Sequence, residues 1–238
     1  MNYNFLKVIH LSKKDYQINK NIDLIYKRGY SNFLSRIISH IVNSNVKDTK
    51  IYNTFEDCER QIVYLKDKPK LTVFEIISYE EITHREIMGS IYNLSIDPEL
   101  FGDIIKNDKK FYIIILKNIE ETIEREFVKI GDKSIKLKRV DISVLDGYKR
   151  EYEICKLTVS SLRLDTIVSK IVGTSRDKVK KYFKDESIIV NYSVVYKCDK
   201  LLSIGDTFSI RRHGKYIFDQ ISKKTKKGGY IIELKKYI

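Results

Sequence analysis

Ser160-Ser161-Leu162-Arg163-Leu164-Asp165, followed ten residues on by Ser175-Arg176, is the stretch on which the fold turns. Leu164, Ile167, Val168 and Ile171 repeat at helical spacing, with Ser160 or Ser161 placed to cap the start. Gly173-Thr174 ends that helix, and Ser175 caps a second whose Val179, Tyr182 and Phe183 face inward. Short strands are predicted beyond it, at 187–191, 194–196, 207–211, 216–221 and 230–234, with Gly205-Asp206 as a turn before the third. A helix pair on a small sheet follows.

Charge is concentrated in this same region. From residue 159 to the end there are 18 Lys/Arg against 8 Asp/Glu; the preceding residues hold 27 against 24. The total of +13 is therefore carried mainly by the last third. The chain lacks Ala and Trp and is rich in Ile, Lys, Asn and Tyr, so a compositional bias inflates Lys everywhere. A bias would spread Lys evenly, and the unevenness points to a polyanionic partner met by the C-terminal part. Arg176, Lys180 and Lys184 fall four apart along the second helix and form one ridge. Arg163 lies in the first turn of the first helix, where its charge opposes the helix dipole and calls for an acidic or phosphate partner. Asp165 is suited to cap or orient. Both helix N-termini are expected to favour phosphate.

Composition excludes several classes. No apolar run approaches the roughly 20 residues that span a bilayer, and no apolar core with a small-residue cleavage site opens the chain, so a cytoplasmic protein is expected. Cys58, Cys155 and Cys198 are odd in number and far apart, which reads as incidental or buried thiols. No phosphate-cradling glycine loop is present, and His10, His40, His84 and His213 form no ligand set with them; neither cofactor nor metal is expected.

Pattern divides the chain at 1–70, 71–156 and 157–238, an α+β multidomain organisation. Residues 1–70 carry a helix through Phe5 to Lys27, a second after Ser31 with Phe33, Ile37, Ile38 and Ile41, and strands near 51–54 and 60–65. Residues 71–156 read strand, helix, two strands, helix, strand: 71–77, a helix capped by Thr83, 103–105, 111–116, 119–128 and 134–142. That βαββαβ order predicts a ferredoxin-like sandwich, a permissive fold that includes RNA-recognition domains.

Arg163-Leu164-Asp165, Ser175-Arg176, Val190-Asn191 and Gly205-Asp206-Thr207-Phe208 together resemble the RNA-binding module named after small-subunit ribosomal protein S-four, the alpha-L motif. The chain departs from it at Glu186 and Tyr192, where that module often has Gly, and at Val179, where it has Ala. Ile82-Thr83-His84-Arg85-Glu86-Ile87-Met88-Gly89 with Phe101-Gly102-Asp103-Ile104 is similar to the signature of the YlmH family. Those bacterial proteins join an N-terminal domain, a ferredoxin-like middle domain and this C-terminal module. A basic residue usual before Gly102-Asp103 is missing here.

The resemblance implies a non-enzymatic RNA-binding protein on the large ribosomal subunit, touching rRNA and peptidyl-tRNA in quality control of stalled nascent chains. A monomer with no membrane or small-molecule partner is expected. Expected RNA-binding residues are Arg163, Ser175, Arg176, Lys178, Lys180, Lys181, Lys184, Arg211, Arg212 and Lys215. Replacing Arg163 and Arg176 by Ala is expected to abolish subunit binding and leave the melt nearly unchanged. The enzyme alternative is a pseudouridine synthase, which also uses Arg-Leu-Asp. Here Leu162 replaces the Gly before that motif, and only about 73 residues follow Asp165. Four lysines among residues 223–227 offer a weaker alternative, an anionic membrane surface, without the anchor that stable attachment needs.

Overall fold

Alternation along Phe111-Tyr112-Ile113-Ile114-Ile115-Leu116 organises the first half of the chain, because all six are buried and successive side chains enter different cores. The computed structural model describes residues 13–226 and 228–238. They fall into two compact units, the described part of Met1–Lys149 and Arg150–Ile238.

The first unit begins with α1 (Lys13–Arg28), β1 (Leu34–Ser35), α2 (Arg36–Asn45), β2 (Lys50–Tyr52) and β3 (Arg60–Tyr64). The helix expected from Phe5 to Lys27 is met by α1 from Lys13 onward, and its part before Lys13 lies outside the described residues. Ser31 does not cap the second helix: its hydroxyl donates to Asn32 O and accepts the Val63 amide, which ties it to β3. The cap is Ser35, and Phe33 lies before the helix. The strands form an antiparallel sheet in the order β1-β3-β2, on which α1 and α2 bury Ile25, Leu34, Ile38, Val42 and Val63.

The unit continues with β4 (Leu71–Ser78), α3 (His84–Asn93), β5 (Phe101–Asn107), β6 (Lys110–Leu116), α4 (Glu120–Glu126), β7 (Lys129–Ile130) and β8 (Lys133–Val140). Every pairing is antiparallel and the sheet order is β5-β6-β4-β8-β7. Thr83 starts α3 with a capping box: its Oγ1 accepts the Glu86 amide, and Glu86 accepts the Thr83 amide at 2.8 Å. Ile87 and Ile91 of α3 and Ile123 of α4 pack on one sheet face against Phe74, Phe111 and Ile113. On the other face Val73, Ile105, Tyr112 and Ile114 meet Phe33, Phe55 and Ile62 from before β4. Residues below 70 thus share a core with the larger sheet, and the central strands are covered on both sides.

That covering explains Phe101-Gly102-Asp103-Ile104. A Cβ on Gly102 would stand 3.0 Å from the Phe33 ring. Asp103 is buried and its carboxylate accepts the amides of Glu59 and Arg60 at 2.8 and 3.3 Å. The pairing of β5 with β6 shifts register here, between Phe101 and Ile104. The stretch fastens the two sheets together.

The second unit contains β9 (Tyr152–Val159), α5 (Leu164–Val172), α6 (Arg176–Lys184), β10 (Ile188–Val190), β11 (Ser193–Val194), β12 (Thr207–Ile210), β13 (Gly214–Lys224) and β14 (Tyr230–Tyr237). The strands form one antiparallel sheet, β11-β10-β12-β13-β14-β9. β9 was not anticipated; it pairs along its whole length with β14, which places residues 152–156 with the C-terminal unit. Leu164, Ile167 and Val168 of α5 and Val179 and Phe183 of α6 pack against Phe208, Tyr216, Phe218 and Leu234. Asn191 and Asp206 knot the loops beneath. Asn191 donates to Asp206 at 2.7 Å and accepts the Thr207 amide, while Asp206 accepts the Ser203 amide at 2.8 Å.

Candidate RNA-binding face

Asp165 is the centre of the charged cluster. Its side chain is only 7% exposed and sits in the first turn of α5. Arg163 reaches it through Nε to Oδ1 at 3.2 Å and Nη2 to Oδ2 at 3.0 Å. Arg176, at the start of α6, donates Nη2 to Oδ2 at 2.7 Å. Burial alone would raise the Asp165 pKa; hydrogen bonds from the two arginines override it and bring it down to about 2. Asp165 therefore orients, as its position suggested, and supplies the acidic partner that Arg163 required. The Arg163 and Arg176 side chains remain 37% and 50% exposed. A buried carboxylate thus holds two partly exposed cations side by side across the helix pair, an arrangement suited to phosphate.

This geometry corrects the expectation for the double alanine variant. Without Arg163 and Arg176, Asp165 would be left in its buried position with no cation, so the melt must fall too. It also corrects the start of α5. The cap is Arg163, and the amides of Leu164 and Asp165 donate to the carbonyls of Lys200 and Cys198 at 2.8 and 3.0 Å. That N-terminus is closed by the chain itself and does not offer these amides to phosphate. Ser161 instead pairs its hydroxyl with that of Thr166.

Ser175 caps α6, its hydroxyl accepting the Lys178 amide at 3.4 Å. Around α6 the basic residues divide between two flanks. Arg176, Lys180 and Lys184 follow one, all exposed, with Lys180 held by Asp177 at 2.8 Å. Lys178 and Lys181 follow the other. There Lys181, Asp185, Arg211, Arg212 and His213 line a cleft of about 460 Å³. Tyr182 closes its wall, with its hydroxyl 3.3 Å from His213 Nε2 and the rings edge to face. The inward pattern at Tyr182 hid this second role, which only the β12–β13 turn reveals.

Lys215 does not join the helix face. Tyr216 and Phe218 point into the core, so Lys215 emerges on the opposite side of the sheet. Its Nζ lies 5.1 Å from the Tyr192 ring centre and 4.7 Å from that of Tyr237. Glu186 and Tyr192, the two departures from glycine, both have positive φ, 51° and 62°. Left-handed backbone is the reason glycine suits those places.

Elsewhere among the described residues, no group of three or more His, Cys, Asp or Glu side chains could hold a metal, and no helix is long and apolar enough to cross a membrane. Cys58 is buried, and Cys155 and Cys198 are half-buried and free.

Comparison with known proteins agrees with the sequence. Residues 69–144 match the family described as "Putative RNA-binding domain in YlmH". The chain is also 28% identical over 149 residues to the "Ribosome-associated protein quality control protein P2" of Bacillus subtilis (strain 168). Its segment 69–144 is YlmH-like. That match covers 63% of this chain and 58% of the Bacillus protein, less than two thirds of its length. Among solved structures, the "Cell division protein ylmH from Streptococcus pneumoniae" is similar at 18% identity and a TM-score of 0.42, over 57% of this chain and 96% of that one. The YlmH-matching stretch 69–144 runs from the end of the β3–β4 connection through β8 and into the helical turn Ile142–Leu145.

Proposed function

We propose that this YlmH-like chain is a non-enzymatic, cytoplasmic RNA-binding protein of ribosome-associated quality control. In this reading it binds the large ribosomal subunit, contacting rRNA and peptidyl-tRNA, and acts as a monomer without membrane or small-molecule partners. The observation that carries the reading is the Asp165-anchored pair Arg163 and Arg176, beside the exposed lysines of α6. The Bacillus relative supplies the ribosomal setting. The order β5-β6-β4-β8 supports a ferredoxin-like reading of the middle sheet. The helix pair on the sheet, with its Asn191–Asp206 knot, supports an alpha-L reading of the second unit. Three functional parts are proposed, 1–70, 71–156 and 157–238, although residues 152–156 pair with the last and residues below 70 share a core with the second.

Direct RNA contacts are assigned to Arg163, Arg176, Lys178, Lys180, Lys181, Lys184, Arg211 and Arg212, with Ser175 fixing the start of α6. A pseudouridine-synthase role is disfavoured because Asp165 is buried and both its oxygens hold arginine. The test is co-sedimentation of the full chain with purified large subunits. Lys181→Glu with Lys184→Glu should weaken binding at least tenfold with an unchanged melt, since neither residue is buried. Undiminished binding at physiological salt would show that α6 is not the grip.

A further inference from the structure

The first unit has a basic cleft that the C-terminal reading leaves unused. It lies between the end of α1 and the β3–β4 connection, with a volume of about 710 Å³, within the range of small-ligand sites. Its floor is apolar, with buried Ile25 and Pro69 and half-buried Leu65. Tyr26 stands at the rim, 70% exposed. Lys66, Lys68, Lys70 and Lys117 surround it, against the carboxylate of Asp67. Among the described residues no carboxylate ion-pairs with Lys66 or Lys70. Lys68 lies 4.8 Å from the Tyr52 ring centre, and Lys117 reaches Glu120 only at 3.6 Å.

The wall is firmly built. Gly29, at φ 87°, ends α1, and its carbonyl accepts the Leu65 amide at 2.9 Å, so that helix-end acceptor is not presented to an anion. The Arg28 guanidinium lies 4.4 Å over the Tyr30 ring and donates to Tyr30 O and to Asn32. The site thus combines an apolar floor, an exposed ring and exposed lysines, the parts that hold a base and its phosphates.

We infer that this cleft binds an unpaired RNA nucleotide, its base against Tyr26 and the floor and its flanking phosphates on Lys66, Lys70 and Lys117. The matched RNA-binding segment 69–144 contributes Pro69, Lys70 and Lys117 to it. The central strands of that segment are covered on both faces, so bases cannot stack on them, and the cleft offers the segment a concave basic surface. The choice of RNA as the nucleotide's source rests on the function proposed above; the cleft chemistry requires only a base and a phosphate.

The test is fluorescence anisotropy of the full chain with labelled octauridylate, with photocrosslinking of a 4-thiouridine version mapped by mass spectrometry. Crosslinks should fall on Tyr26 or residues 65–70. Lys66→Glu with Lys70→Glu should weaken binding at least tenfold. Tyr26→Ala should weaken it several-fold, and Tyr26→Phe should restore it. Lys136→Glu with Lys138→Glu, exposed on β8 and outside the cleft lining, should leave octauridylate binding within twofold. The proposal is overturned if the Lys66 and Lys70 reversals change affinity less than twofold, or if crosslinks avoid the cleft. It is equally overturned if free AMP or anionic vesicles bind the cleft as tightly as octauridylate. Loss of subunit binding with intact octauridylate binding would sink the ribosomal reading alone; the reverse would sink only the cleft.

Discussion

At Asp165 one carboxylate does two jobs, holding α5 to α6 and aiming two arginines outward. Its pKa lies near 2 in the folded chain against an ordinary value near 3.8. A depressed carboxylate stabilises the fold above its unfolded pKa and loses that contribution as pH falls through the folded value. The stabilisation, about 2 kcal/mol, should therefore be complete above about pH 4 and disappear toward pH 2. Asp165→Asn should remove most of this acid sensitivity and lower stability at pH 7 by a similar amount, checked by urea melts across pH. Glu186 presents the opposite case. It holds a left-handed backbone at φ 51°, and its carboxylate accepts the Tyr196 hydroxyl at 2.7 Å. Glu186→Gly relieves the backbone and loses that bond, so stability should change by no more than about 1 kcal/mol. Removing a negative charge from the end of α6 should raise RNA affinity about two- to threefold in the same binding assay, as expected for one exposed charge.

Among the elements, β5 depends on a glycine. Gly102→Ala would place a methyl 3.0 Å from the Phe33 ring and 3.1 Å from Ile114 Cβ. Both neighbours are buried, so a loss of about 1–3 kcal/mol is expected, measured by urea denaturation of the full chain. RNA binding by α6 should persist while the chain stays folded. Sequence pattern was enough for most elements, because α3, α5, α6 and β6 carry strong periodicity and clear caps at Thr83 and Ser175. It failed where partners lie far along the chain. β9 alternates with polar residues, and only pairing with β14 defines it. Ser31 reads as a helix cap until Val63 claims its hydroxyl. The site was legible in the same uneven way. Arg163 and Arg176 follow from spacing, whereas the cleft of Lys181, Arg211 and His213 is assembled across the β12–β13 turn. Lys215 looked equivalent to Arg211 and Arg212, but strand alternation sends it to the opposite face.

For the whole chain, uneven charge makes a quantitative claim. Residues 159–238 hold 18 Lys/Arg against 8 Asp/Glu, and the rest is close to balanced. If phosphates are the target, each neutralising contact releases condensed counterion, and log affinity falls linearly with log salt, by roughly 0.9 per contact for duplex DNA and less for single strands. Not all the basic residues count: Lys215 faces away from α6, and Lys180 already pairs with Asp177. Lys181, Lys184, Arg211 and Arg212 are exposed and, among the described residues, ion-pair with no carboxylate, so they should carry the salt dependence. Replacing any one by Gln should therefore reduce the slope magnitude for structured rRNA by about 1. Gln at Lys180 should reduce it by less, because Asp177 already offsets that charge. Gln at Lys136 or Lys138, on β8 of the first unit, should leave it unchanged. Filter binding from 50 to 300 mM salt distinguishes these cases. A slope that is equally sensitive to β8 and α6 would mean that basic composition, and not the helix pair, accounts for RNA binding.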